Sequence, residues 1–258
     1  MVGLYSYSLA VLFFGSLVLI LASCEFGRWV GVRNSGHRSD HVTALQGAVL
    51  GMLALILGFT FAMALSRFDA RRDAVLIEAN SIGTTALRAR LLPEPHRTKT
   101  LRLLQDYVKL RLDITQDPAA PMELSATVRR SNMVQEALWA EAMALAEKDK
   151  GLVPTGLFIQ ALNDMIDNQE KRLTAVRNRV PVSVLLGLLV LSAVGSGFSG
   201  YATGLASRRS RWPIYITALV LAGVIFLILD LDRTGYGFIA VSQQPMIDTA
   251  ASIDGFLR

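Results

Sequence analysis

One cysteine, Cys24, stands in 258 residues, so no disulfide can form within the chain. The three histidines, His37, His41 and His96, show no metal-ligand spacing, and neither a zinc site nor any other bound metal or cofactor is expected. There is no Gly-rich phosphate loop, no GxSxG and no HExxH. Without these signatures no catalytic residue can be named, and the protein is not expected to be an enzyme. Charge is scarce as well. Charged residues make up 18% of the chain against 52% hydrophobic, a poor match to a soluble globule and a good match to a protein that crosses a membrane several times. No segment alternates with the period of a strand and none repeats, which leaves an all-α fold.

The charges that exist are segregated. Ser66 to Pro181 holds 18 of the 26 Lys and Arg and 15 of the 21 Asp and Glu, so the segments on either side are nearly free of charge. Basic and acidic residues alternate along helical faces there, without a basic patch interleaved with aromatics, and no nucleic-acid partner is expected. The formal net charge of +5 suits a membrane protein beside anionic lipid.

Four apolar runs are long enough to span a bilayer: 4–24, 42–65, 182–206 and 213–231. The layout predicted from them is transmembrane helices 1 and 2 in residues 1–65, a helical extramembrane domain in 66–181, transmembrane helices 3 and 4 in 182–232, and a tail, 233–258, in which Met246 to Leu257 forms an amphipathic helix. Within the domain, apolar spacings of three and four predict helices from His96 to about Thr115, Met122 to about Lys150 and Thr155 to Val180. Turns are expected at Leu92-Pro93-Glu94-Pro95 and from Gln116 to Pro121. Leu21-Ala22-Ser23-Cys24 resembles a lipoprotein cleavage box, but residues 1–8 carry no Lys or Arg, so the first run is read as a retained helix.

The second span organises the chain. Val42 to Leu65 contains no charge in 24 residues, and helix-forming residues continue without a proline to Pro93, so one helix projects some ~40 Å beyond the bilayer at about 1.5 Å per residue. Small residues recur along it at Ala44, Gly47, Gly51, Ala54, Gly58 and Ala62. Such a stripe lets another backbone approach closely. Two readings follow: the stripe packs within one subunit while the bulkier face of Leu45, Val49, Ile56, Thr60 and Met63 meets lipid, or copies pack through the stripe and turn that face to a pore.

Where the spans end, Arg67, Asp69, Arg71 and Arg72, with Asp73, leave the second and Asp230, Asp232 and Arg233 leave the fourth. They are read as a charged collar, either of structural ion pairs or of an ion-selecting vestibule, in which an Arg-lined mouth favours anions. One Asp-x-Asp is too little for a calcium site. A polar site of Glu78, Asn80, Asp164 and Asp167 is the remaining catalytic alternative, and helix-locking contacts explain those residues more simply. The short loops carry six arginines, Arg28, Arg33, Arg38, Arg208, Arg209 and Arg211, which by the bias of Lys and Arg toward cytoplasmic loops puts the domain on the non-cytoplasmic side. Arg67, Arg71, Arg72, Lys171, Arg172, Arg177 and Arg179 crowd the opposite side, so orientation stays open.

The second span and its extension, HVTALQGAVLGMLALILGFTFAMALSRFDARRDAVLIEANSIGTTALRARLLP, with the later DLDR and VSQQP, resemble the bacterial bestrophin-like proteins of the DUF4239 group. The resemblance covers nearly the whole chain. Bestrophins are pentameric anion channels whose second helices line a pore with an apolar neck and whose large helical part is cytosolic. It implies neck positions at Val49, Ile56, Phe59, Thr60 and Met63, and a homo-oligomer, with five copies as in bestrophins. The acidic calcium clasp of animal bestrophins has no recognisable counterpart here. The expected function is an oligomeric, anion-preferring channel of the bacterial inner membrane with membrane lipid around it. The alternative is a non-conducting scaffold or envelope sensor that couples the helical domain to the membrane.

Overall fold

The computed structural model describes residues 7–34, 40–116, 121–148, 153–206, 211–234 and 237–258, and among these it is built of helices without a strand. In chain order they are α1 (Leu9–Arg33), α2 (Asp40–Ala89), α3 (His96–Gln116), α4 (Pro121–Lys148), α5 (Val153–Arg177), α6 (Val182–Leu205), α7 (Trp212–Asp232) and α8 (Gln244–Phe256). Four stretches, in α1, the first half of α2, α6 and α7, are apolar and long enough to cross a membrane. His37, Arg38, Arg208, Arg209 and the turn that follows Gln116 lie outside the described residues, as does the side chain of His41.

The chain forms two compact units. The first gathers Met1–Arg67, Arg179–Arg233 and Gly237–Ile239. Ser8 starts α1 by accepting the Val11 backbone N–H on its hydroxyl at 3.2 Å, which satisfies one of the first-turn donors. The helix then runs nine residues beyond the expected boundary at Cys24, because Gly27 and Gly31 continue its packing face and bring its backbone against α6. A Cβ on Gly27 would stand 2.0 Å from the Gly197 carbonyl oxygen, one on Gly200 2.0 Å from that of Cys24, and one on Gly204 2.5 Å from that of Arg28. Cys24 meets Gly200, and Arg28 and Gly31 meet Gly204, so the two helices run in the same direction. In a lipid environment, where apolar surface gains nothing from leaving the solvent, such backbone approach is a main source of helix association. Proline in the first turn of α7 fits there without losing a helical hydrogen bond.

The second unit contains Phe68–Asn178, Thr234–Tyr236 and Ala240–Arg258. Ile82 and Ala86 of α2, Leu104, Tyr107 and Val108 of α3, Leu138 of α4, and Phe158, Leu162 and Met165 of α5 close one apolar core. Met246 and Ile253 of α8 belong to the same core, so the tail, read from sequence as a separate segment, completes the helical domain. Their spacing of seven is two helical turns, which puts both on the face toward α3. Two bonds fasten α2 to α5: Thr85 Oγ1 donates to the Ala161 carbonyl at 3.0 Å and Arg88 Nη1 to that of Leu157 at 2.7 Å. The helix α5 stops at Arg177 rather than Val180, since Val180 precedes a proline, which disfavours helix. Its N–H instead donates to Asp232 within the first unit, at 3.0 and 3.1 Å.

Candidate functional site

The membrane half of α2 divides lengthwise. Toward its own subunit it turns Gln46, Val49, Leu50, Leu53, Leu57, Thr60 and Ala64, all buried or half-buried and on one side of the helix. Away from it stand Ala44, Gly47, Gly51, Ala54, Gly58 and Ala62, every one exposed. A Cβ added at Gly47, Gly51 or Gly58 would meet nothing within 4 Å. The first of the two readings of the small-residue stripe is thereby corrected: among the described residues nothing packs on the stripe, and the close backbone approach is made by the glycines of α1 and α6.

The bulkier positions separate just as clearly. Phe59 is 65% exposed and Met63 37%, Ile56 is half-buried, and Thr60 is 2% exposed with its hydroxyl donating to the Ile56 carbonyl at 2.8 Å. Val49 is half-buried and borders Gly195 of α6. Phe59 and Met63 are one turn apart and flank the small stripe, so this half of the helix shows an uncharged, apolar face that no described residue of its own chain covers.

A profile of the Bestrophin-like domain matches residues 12–246. The chain belongs to the Bestrophin-like family. Among solved structures, this bestrophin-like chain is similar to a bacterial bestrophin homolog from Klebsiella pneumoniae, with a TM-score of 0.67 and 15% identity over 97% of each chain. Two single-substitution variants of that protein match with TM-scores of 0.68 and 0.67, at 15% and 16% identity, covering 96% and 95% of this chain and 97% of each of theirs. Identity this low shows a shared fold. No curated protein matches the sequence.

The bestrophin-like chain also carries polar groups inside its membrane unit. Cys24, Gln46, Ser196, Ser199, Thr203 and Thr217 line a cavity of about 150 Å³ among α1, α2, α6 and α7. Gln46 Nε2 donates to Ser199 Oγ at 3.2 Å and the Cys24 thiol to the Ser196 carbonyl at 3.2 Å, while the buried Ser196 hydroxyl has no partner in the chain. The space and its hydroxyls suit a few water molecules.

The charged residues at the span ends are arranged differently from a simple collar. Arg71 is buried, and Asp69, Arg72 and Asp73 are exposed. Asp230 and Asp232 are buried at the end of α7 and take backbone donors: Phe238 and Ile239 at 3.0 and 3.1 Å for Asp230, Val180 for Asp232. Gly237 is required by that loop, since a Cβ there would stand 2.3 Å from Asp230 Oδ1. Arg233 donates to the Tyr7 carbonyl.

In the helical domain, the residues read as a catalytic alternative are split between a groove and the interior. Asn80, Asp164 and Asp167 share a groove with Lys171, whereas Glu78 is turned into the core. There Glu78 accepts Arg111 Nε at 2.7 Å and Arg172 Nη1 at 2.5 Å, all three side chains being buried. Around them Arg172 Nη2 donates to Gln243, Tyr107 donates to Gln169 at 2.9 Å, Gln135 Nε2 donates to the Tyr107 hydroxyl, and Gln169 Nε2 donates to Asn132. Burial, with the negative Glu78 nearby, pushes the Tyr107 phenol well above its ordinary range, so it stays neutral. This network was not legible from sequence, which counts Arg172 among the cations at the membrane ends and does not single out Arg111. Among the described residues no group of three or more His, Cys, Asp and Glu is placed to hold a metal ion.

Proposed function

We propose that the chain assembles with copies of itself, five as in the bestrophins it resembles, around an ion pathway through the bacterial inner membrane, and that it falls in the DUF4239 branch of its family. The observation that carries this reading is the uncovered, uncharged face of α2, which is open at every position of the small-residue stripe. A helix whose apolar face lacks partners in its own chain supports packing against a copy, and its small residues let that approach be close. Phe59 and Met63, with Ile56 at the edge, form the constriction, which gates by dewetting. Val49 and Thr60, covered by their own subunit, serve packing. Anions are preferred because Arg67, Arg71 and Arg72 at the charged end of the span outnumber Asp69 and Asp73.

The test is mass determination in detergent, followed by anion and cation flux from liposomes carrying the natural chain, Phe59→Ala or Ile56→Ala. A ring that passes chloride faster than potassium, with flux raised severalfold by Phe59→Ala, is the expected result. A monomer or dimer, or a ring that passes no ion with any of the three sequences, would overturn the channel and leave the non-conducting scaffold or sensor.

A further inference from the structure

Glu78 is one negative charge shared by two guanidinium groups. Arg111 and Arg172 are both buried and both remain protonated, because guanidinium does not lose its proton in proteins. Every other group in the network, Tyr107, Asn132, Gln135, Gln169 and Gln243, is neutral. The network therefore holds a net charge of +1.

That excess is localised. Arg172 spends Nη1 on Glu78 and Nη2 on Gln243. Arg111 uses only Nε; its Nη1 and Nη2, which carry four N–H donors between them, have no hydrogen-bond partner, although the side chain is 0% exposed. Buried donors are nearly always satisfied, and a buried charge is normally paired. A water molecule would accept one or two of these donors and leave the charge uncompensated. A small anion removes both deficits.

We infer that the Nη edge of Arg111 holds a small monovalent inorganic anion of halide size inside the helical domain. One enclosed guanidinium edge, with Arg172 already engaged by Glu78 and Gln243, matches a single compact charge rather than a phosphate or sulfate, which would bring two charges and need more donors. The bound ion would fix α3 to α2 through Glu78, so occupancy stabilises the domain by mass action. The inference is independent of conduction, because every residue in it lies in the second unit.

The experiment uses the full chain in detergent, with thermal unfolding followed as gluconate is replaced by chloride or bromide at constant ionic strength. A saturable rise in Tm of several degrees is expected for the natural chain. Arg111→Met leaves Glu78 and Arg172 as a neutral pair and should unfold at the same temperature in all three salts. Crystals grown with bromide should show an anomalous peak within hydrogen-bonding distance of the Arg111 Nη atoms, a readout that needs no variant to fold. Equal Tm in gluconate and halide for the natural chain, an undiminished halide shift in Arg111→Met, or no bromide at Arg111 would overturn the site and identify its occupant as water.

Discussion

A carboxylate in the last turn of a helix faces the negative end of the helix dipole, and α7 buries two there, Asp230 and Asp232. They are tolerated because backbone N–H groups of Val180, Phe238 and Ile239 donate to them. Asp230→Ala removes the bonds to the Phe238 and Ile239 N–H groups and should lower stability by about 1–3 kcal/mol, read from thermal or denaturant unfolding in detergent. Glu141 offers a second residue-level outcome. Burial works against its charged form, but hydrogen bonds from Lys99 and His96 outweigh it and hold the carboxyl below its ordinary range. A lowered carboxyl contributes stability that is complete at neutral pH and fades as pH falls below about 4. Glu141→Gln should therefore destabilise the protein at pH 7 and flatten the acid limb of its stability curve. The sequence named Asp230, Asp232 and Glu78 as polar positions that matter but could not supply their partners. Charge at a span end signals a cost, whereas the bond that offsets it comes from a loop eight residues on, or, for Glu78, from an arginine 94 residues away.

Helices were the most legible level. Apolar runs gave the four spans, and spacings of three and four gave α3, α4, α5 and α8 to within a few residues, since period and length are local properties. The end of α1 was not legible, because Glu25 and Arg28 resemble a loop until Glu25 is seen accepting the Tyr215 hydroxyl at 2.6 Å. The end of α6 from Gly195 to Gly204 is rich in Gly and Ser, which suits close packing, yet small residues do not name their partner, and the stripe of α2 also admitted an internal reading. These two stripes predict opposite behaviour. Gly200→Val drives a side chain into the Cys24 carbonyl and should cost at least about 1–3 kcal/mol in unfolding assays. Gly51→Leu has open space, so the subunit should unfold at its usual temperature while the oligomer mass measured in detergent falls.

At the scale of the whole molecule, an even number of spans would return the chain to the side of the membrane from which it set out, and the arginine-rich ends bear on which side that is. The short loops, with Arg28, Arg33 and Arg211 among their cations, are counted most heavily, and that bias favours a non-cytoplasmic domain against the competing Arg67, Arg71 and Arg72. Protease added to sealed cells should then remove the segment between α2 and α6 and spare the short loops; protection of that segment would reverse the orientation. The sequence showed the two-part organisation through its segregated charge, but α8 joins the domain by two buried residues, too weak a pattern to outweigh its distance along the chain. Cys24 is the chain's one thiol and is enclosed between α1 and α6, its hydrogen donated to the Ser196 carbonyl. The natural protein is thus already a silent background for site-directed labelling: a reporter cysteine placed at Gly51, Phe59 or Met63 would add the one thiol open to a water-borne maleimide, and its reactivity would map the wetted length of α2 one position at a time.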